Sequence, residues 1–473
     1  MTAIAAPAPT EPRSPRASRR HLRPLVVVAA ALIIAAGSYG ASIAFAPRVA
    51  PAPEAAAQAG VAPQQPLTAP GGPSGISAAS VAAIDHALTP WTDNLARNPK
   101  DFLSAEYLGL LYEARGRLTG NLDDYLRAKT ATEQAMAALT GDLDAGVIHA
   151  RLLQTLHDFS GALAEAKSIF QQDPTAMQAL ATEGDAELEL GDVRDATAAF
   201  DSLEQQAPGA PVTARLSRLA FINGDTATAI ALSKQAWDEA TAAGDTGATL
   251  GWYAYLAGTV ALQTGSPADA ATWFGKADTV WPDSFLVLGG LARAQAALGQ
   301  TDAAIATYQR AIAIAPQPDT LTLLGDLYAL GGQQQLADQQ YATVAAIGQI
   351  AAVDQQVYNR QLALFDVNHD RDLPQALEMA TAELAVRKDV YGYDAYAWAL
   401  LANGRLTEAE TAIQQALAFG TKDALLDYHA GMIAAALGDS SQARSFLEDS
   451  LAISGGLDPL AASKATAELA DLP

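Results

Sequence analysis

Residues 321–344 read LTLLGDLYALGGQQQLADQQYATV. Leu321, Leu324 and Tyr328 recur at helical spacing, so one face of the first half is apolar. Gly331-Gly332 breaks the run, and Ala337, Tyr341 and Val344 build a second apolar face. The stretch therefore predicts two amphipathic helices joined by a glycine turn. Gly325 lies inside the first helix, where glycine is costly, so it needs a packing reason: the paired helix crosses against it. Ala337 is the second point of close approach. The same punctuation returns at Gly191-Asp192, Gly224-Asp225, Gly265-Ser266, Gly299-Gln300, Gly404-Arg405 and Gly438-Asp439. Ala196, Ala229, Ala270, Ala304, Ala409 and Ala443 follow five residues later, and Pro208, Pro282 and Pro316 close three of the units. A period of about 34 residues means a stacked array in which neighbours cover each other's apolar faces.

This spacing resembles the tetratricopeptide repeat, two antiparallel helices in about 34 residues. Further copies hold Leu180, Gly184, Ala196, Phe200 and Leu203; Ala254, Gly258, Ala270, Phe274 and Ala277; and Leu288, Ala292, Ala304, Tyr308 and Ala311. The first copy has Leu108, Gly109 and Tyr112, but Ala128 comes late, so residues 117–124 read as an insertion between its helices. Residues 240–249 read as an extension between copies. The resemblance implies an all-α fold, a right-handed superhelical solenoid of antiparallel helix pairs, with about ten units over residues 101–453. The unit around residues 363–383 is the least regular. Residues 76–100 and 454–473 are expected to cap the two ends with a helix each.

The N-terminal part differs in composition. Arg13, Arg16, Arg19, Arg20 and Arg23 lie in a basic tail, residues 1–24, ahead of an uncharged stretch at 25–46. At 1.5 Å per residue those helical residues span about 33 Å, enough to cross a bilayer. The arginines keep the tail in the cytosol and place the repeats outside, a single-pass arrangement in the cytoplasmic membrane. The alternative is a cleaved signal peptide, with a secreted or periplasmic product. Leu25 to Ala36 has the length of a signal core, and Ala44-Phe45-Ala46 the small-x-small form of a cleavage site. Pro47 just after it disfavours the cut. Ser18-Arg19-Arg20-His21-Leu22 weakly resembles a twin-arginine export signal. Residues 47–75, rich in Pro, Ala, Gln and Gly, read as an extended linker.

Net charge is −23, and the basic tail carries +4, so residues 73–473 carry −27. Such an array repels phosphate backbones, and no nucleic-acid partner is expected. With no cysteine, disulfides and thiolate metal sites are excluded. The chain holds no phosphate-binding loop, no G-x-S-x-G and no H-E-x-x-H. Its six histidines are scattered, with no two spaced to ligate from one helix face. One foothold for a metal is Asp366, Asn368, Asp370 and Asp372, which resembles the start of a calcium loop. Arg371 stands where the turn glycine belongs and Leu377 where the bidentate glutamate belongs, so a polar turn between repeat helices is the expected reading.

No enzyme and no cofactor are expected. The resemblance implies a protein or peptide partner held on the concave face, and no oligomeric state follows from it. By resemblance, groove positions fall one residue after the small residue of the first helix and three before it. They give Arg151, Asp185, Arg218, Arg293, Asp326 and Trp398, then Tyr255, Asp394 and Tyr428, with Trp252 on the face of Tyr255. Aromatic and arginine side chains are what binding hot spots favour. Each could equally pack or pair with a neighbouring repeat. The Lys/Asn/Arg set with which some relatives clamp a peptide carboxylate is missing. Two other functions stay open: a passive spacer in the cell envelope, and a calcium-dependent or enzymatic module at residues 366–372.

Overall fold

A computed structural model describes residues 80–353, 359–453 and 458–473. The expected membrane or signal helix at 25–46, the basic tail and the linker lie outside them. The described residues form twenty-two α-helices and no strand. Helix α1 (Val81–Arg97) leads into ten antiparallel pairs. These are α2 (Phe102–Thr119) with α3 (Leu122–Ala138), α4 (Leu143–Thr155) with α5 (Phe159–Gln172), and α6 (Met177–Glu189) with α7 (Val193–Gln206). Next come α8 (Ala210–Ile222) with α9 (Thr226–Ala243), α10 (Gly247–Gln263) with α11 (Pro267–Val280), and α12 (Phe285–Ala297) with α13 (Thr301–Ile314). Then follow α14 (Pro318–Leu330) with α15 (Gln334–Val353), α16 (Asn359–Asn368) with α17 (Leu373–Val386), α18 (Val390–Ala402) with α19 (Leu406–Leu417), and α20 (Ala424–Leu437) with α21 (Ser440–Ala452). Helix α22 (Pro459–Asp471) follows the last pair.

Each pair reverses through one residue with positive φ. Eight are glycines: Gly120, Gly191, Gly224, Gly265, Gly299, Gly332, Gly404 and Gly438. The pairs α4–α5 and α16–α17 use His157 and Asp370 instead, at φ +64° and +52°. Within a pair, the small residue of the first helix receives a large side chain of the second. A β-carbon on Gly184 would lie 2.5 Å from the Phe200 ring, one on Gly258 2.8 Å from Phe274, and one on Gly431 2.7 Å from Leu447. At Gly325 it would meet the Tyr341 ring. Ala196, Ala229, Ala270, Ala304, Ala337, Ala409 and Ala443 are 0% exposed, so the second helix has no room for a larger residue either.

The two irregularities of spacing are extra helix, not loop. Helices α2 and α3 run on toward each other, and only Gly120 and Asn121 separate them, so no inserted loop occupies 117–124. The residues at 240–249 likewise lengthen α9 and α10. About seven added residues make two helical turns, so the apolar faces keep their phase.

The even-numbered helices pack on one another as well as on their partners, and so line the inside of the curve. The curve closes. Gly120 lies against Phe285, Ala315 and Gln317, Gly191 against the carbonyl of Lys388, and Gly224 against the carbonyl of Gly420. Thr421 Oγ1 donates to the Ile222 carbonyl at 2.6 Å across 199 residues. About 200 residues is close to six 34-residue periods, so one superhelical turn seats on the next. This corrects the expectation that each repeat needs only its neighbours. Val390, Leu400, Ile413 and Leu426 share one apolar cluster with Leu188, Phe200, Phe221 and Ile222.

Gly325→Leu should cost roughly 1–3 kcal/mol by forcing α14 and α15 apart. Thermal unfolding checks it, and an unchanged midpoint would contradict the Gly325–Tyr341 packing.

Candidate functional site

The inner face is a succession of polar pairs between consecutive even helices. Arg151 on α4 donates from Nε and Nη2 to Glu113 on α2 at 2.9 and 2.5 Å. Asp185 on α6 accepts from Arg215 on α8 at 2.8–3.1 Å. Arg218 reaches Glu189 at 2.6 Å. On α14, Asp326 accepts from the Tyr341 hydroxyl at 2.6 Å and lies 2.8 Å from His369 Nε2. Asp394 on α18 lies 2.9 Å from His429 Nδ1 on α20. His429, fully buried, stacks on Trp398, whose indole N–H donates to Asn368 at 2.9 Å. Tyr428 packs on Trp398, and Trp252 on Tyr255, with ring centroids 5.5 and 5.2 Å apart.

So nine of the ten residues expected to bind a partner are engaged within the chain, because side chains on successive even helices come within hydrogen-bonding and ring-packing reach. Arg293 on α12 differs. It is exposed, and among the described residues it makes no hydrogen bond or ion pair. Its charge acts instead at longer range on Tyr255, Asp319, Asp423 and Asp458. Asp319 belongs to α14, while Asp423 and Asp458 are the N-caps of α20 and α22, so the groups converge from five even helices. Burial pushes the carboxyls of Asp319, Asp423 and Asp458 up, against the pull of Arg293. Asp319 nevertheless keeps solvent-exposed surface. Asp319 lies at the start of α14, one of the even helices that line the lumen of the curve. The sequence reading missed these three acids because an acid at a helix start serves first as a cap or dipole partner. Their signal is that they begin even helices.

A second cluster joins the superhelical turns. Glu189 on α6 receives both Arg218 and Arg387, the latter at 2.8 Å from the end of α17. Arg387 is 1% exposed, lies 4.7 Å over the Phe159 ring, and is 3.4 Å from Glu383. Arg360 and Asp389, 3.9 Å apart, continue the cluster. Burial alone would raise the Glu189 carboxyl, but the guanidinium groups of Arg218 and Arg387 overcome it and hold it at about 2.

The calcium-loop residues are spent on the turn. The Asp366 carbonyl accepts from the Arg371 N–H, Asn368 receives the Trp398 indole, Asp370 takes the left-handed position, and Asp372 caps α17. Among the described residues no group of three or more His, Asp or Glu is arranged to hold a metal ion. Nor is any described helix long and apolar enough to cross a membrane.

Models of the tetratricopeptide repeat match residues 149–211 and 261–327. These stretches are tetratricopeptide repeats, a class that generally binds proteins or peptides. Similar solved structures include the APC/C hetero-tetramer Cut9-Hcn1, at 17% identity over 82% of this chain and 84% of that one, TM-score 0.38. PilW, a widely conserved type IV pilus biogenesis factor, matches at 19% identity over 44% of this chain and 94% of its own, TM-score 0.37. The human IFIT1 dimer with PPP-AAAA matches at 12% identity over 78% and 86%, TM-score 0.42. No curated protein matches the chain.

Two outcomes follow from the charges. Arg387→Met should destabilise by about 3–5 kcal/mol, because Glu189 and Glu383 are left buried without it. Adding Glu189→Gln should recover part of that loss in a double-mutant cycle of unfolding. Additive losses would mean that the turns are not joined there. The second outcome is a pH profile. Burial, aided by Asp142 and Asp144, pushes Glu106 to about 7; burial, aided by Asp449, pushes Asp427 to about 7; burial, aided by Asp372, pushes Asp366 to about 6. These carboxyls hold protons more tightly when folded, so stability rises as pH falls from about 8 toward their unfolded values near 4. The contribution of Glu189 is full above its unfolded value of 4.5 and is lost as pH falls through about 2. The thermal midpoint should therefore peak near pH 4–5. A steady decline from pH 8 downward would refute these assignments.

Proposed function

We propose that the array is a non-enzymatic scaffold that binds a protein or peptide segment in its lumen, at Arg293. The observation that carries this is the contrast on the inner face: the other expected contact residues already have partners inside the chain, while Arg293 does not. Its planar fork, with Tyr255 and Tyr308 nearby, suits a carboxylate or a backbone carbonyl of an incoming chain. The repeats are displayed outside the cytoplasmic membrane, tethered through residues 25–46. The arginine cluster before that uncharged stretch is what supports this placement.

The test compares two single variants for recovery of a partner from the native membrane fraction. Arg293→Ala should weaken capture by roughly 1–3 kcal/mol and leave the thermal midpoint unchanged. Trp252→Ala, at a side chain only 4% exposed, should instead cost stability, roughly 3–5 kcal/mol, and spare binding per folded molecule. Full capture by Arg293→Ala would remove the lumen as the site and leave a passive spacer as the better reading.

A further inference from the structure

Glu106 sits on α2 three residues before Gly109, the groove position that carries Tyr255, Asp394 and Tyr428 in later repeats. It is 7% exposed. Among the described residues it has no hydrogen bond and no ion pair. The neighbouring acids of the same face are all matched: Glu113 by Arg151, Asp185 by Arg215, Glu189 by Arg218. Glu106 instead faces more acid. Asp142 and Asp144, at the start of α4, both act on it electrostatically, and no cation does. Asp142 spends one oxygen on capping the Ala145 N–H at 3.1 Å, while its other oxygen, Oδ2, is buried with no partner. A nearly buried acid with no protein partner and two acids beside it costs the folded chain free energy when ionised.

We infer that Glu106, Asp142 and Asp144 form a socket for a cationic side chain, lysine or arginine, on a polypeptide bound along the inner face. A divalent ion fits less well, because these oxygens do not gather into a metal-holding group. A guanidinium or ammonium on a flexible stem spreads its donors over separated carboxylates. The charge of −27 on residues 73–473 draws a basic segment toward the array. The burial that pushes the Glu106 carboxyl up would be offset by the arriving cation. The inference rests on the scaffold reading above, but its readouts do not involve Arg293, so the two can fail separately.

The experiment titrates the full chain at low salt with a lysine-rich decapeptide, and follows thermal unfolding of the free protein. The wild type should bind. Glu106→Gln should weaken binding by at least about tenfold, since the lost partner is desolvated. At pH 8, above the Glu106 value of about 7, the same variant should raise the thermal midpoint of the free protein, because it removes an unmatched buried charge. Glu204→Gln makes the same charge change on an exposed residue of α7 and should alter neither. The inference is overturned if the wild type does not bind, if Glu106→Gln and Glu204→Gln weaken binding equally, or if Glu106→Gln lowers the midpoint.

Discussion

Two helices approach only as closely as the smallest side chains between them permit, and this chain sets that limit at each pair. A glycine or alanine in the first helix accepts a large side chain from the second, as Gly184 accepts Phe200 and Gly325 accepts Tyr341. A fully buried alanine in the second helix closes the crossing from its own side. Because the crossing repeats with the same chemistry, the angle between units repeats too. Angle upon angle produces curvature, and the curvature brings α6 and α8 under α17 and the α19–α20 link. Everything on the inner face follows from that bend. A wider crossing would flatten the coil and separate Glu189 from Arg387.

The array was legible because its evidence is local. Gly325, Ala337 and Tyr341 lie within one unit, and a reader needs only their spacing. The late Ala128 was misread because spacing alone does not separate an inserted loop from two added helical turns. Asp366 to Asp372 fits a metal loop or a turn equally in composition. What decides is the backbone, which puts Asp370 at the left-handed position that glycine fills in eight other pairs. On the inner face, the groove rule found side chains of the right helices. It could not say which were already occupied, since Glu113, Arg215, His369 and His429 belong to other units than the residues they bond. Arg387 and Glu189 lie nearly six periods apart, where no pattern of 34 residues can pair them.

Charge has two uses here. Between consecutive even helices it acts as strutting: paired, hydrogen-bonded and mostly out of solvent, as in Glu113 with Arg151. Such pairs add less to stability than their geometry suggests, because desolvation offsets attraction, but a broken pair is costly. They therefore hold one arrangement of the units against alternatives. Where strutting is missing, around Arg293 and around Glu106, the face keeps unmatched charge of either sign. The acidity of the whole chain is thus unevenly spent, with most of the inner acids neutralised and a few left over.

The stacking of one superhelical turn on another also sets an order in time. Gly191, Gly224 and Ile222 are covered by chain that follows them by about 200 residues. At a synthesis rate of about 5–20 residues per second, that interval is on the order of 10–40 s. During it the first turn can form its own pairs, since those contacts are local and close quickly. Its upper edge, including Leu188, Phe221 and the Glu189 oxygen that Arg387 later engages, stays bare until α17 to α20 arrive. A nascent chain of this protein is a half-coil with an uncovered ledge, and the ledge is where it is most open to association with other chains.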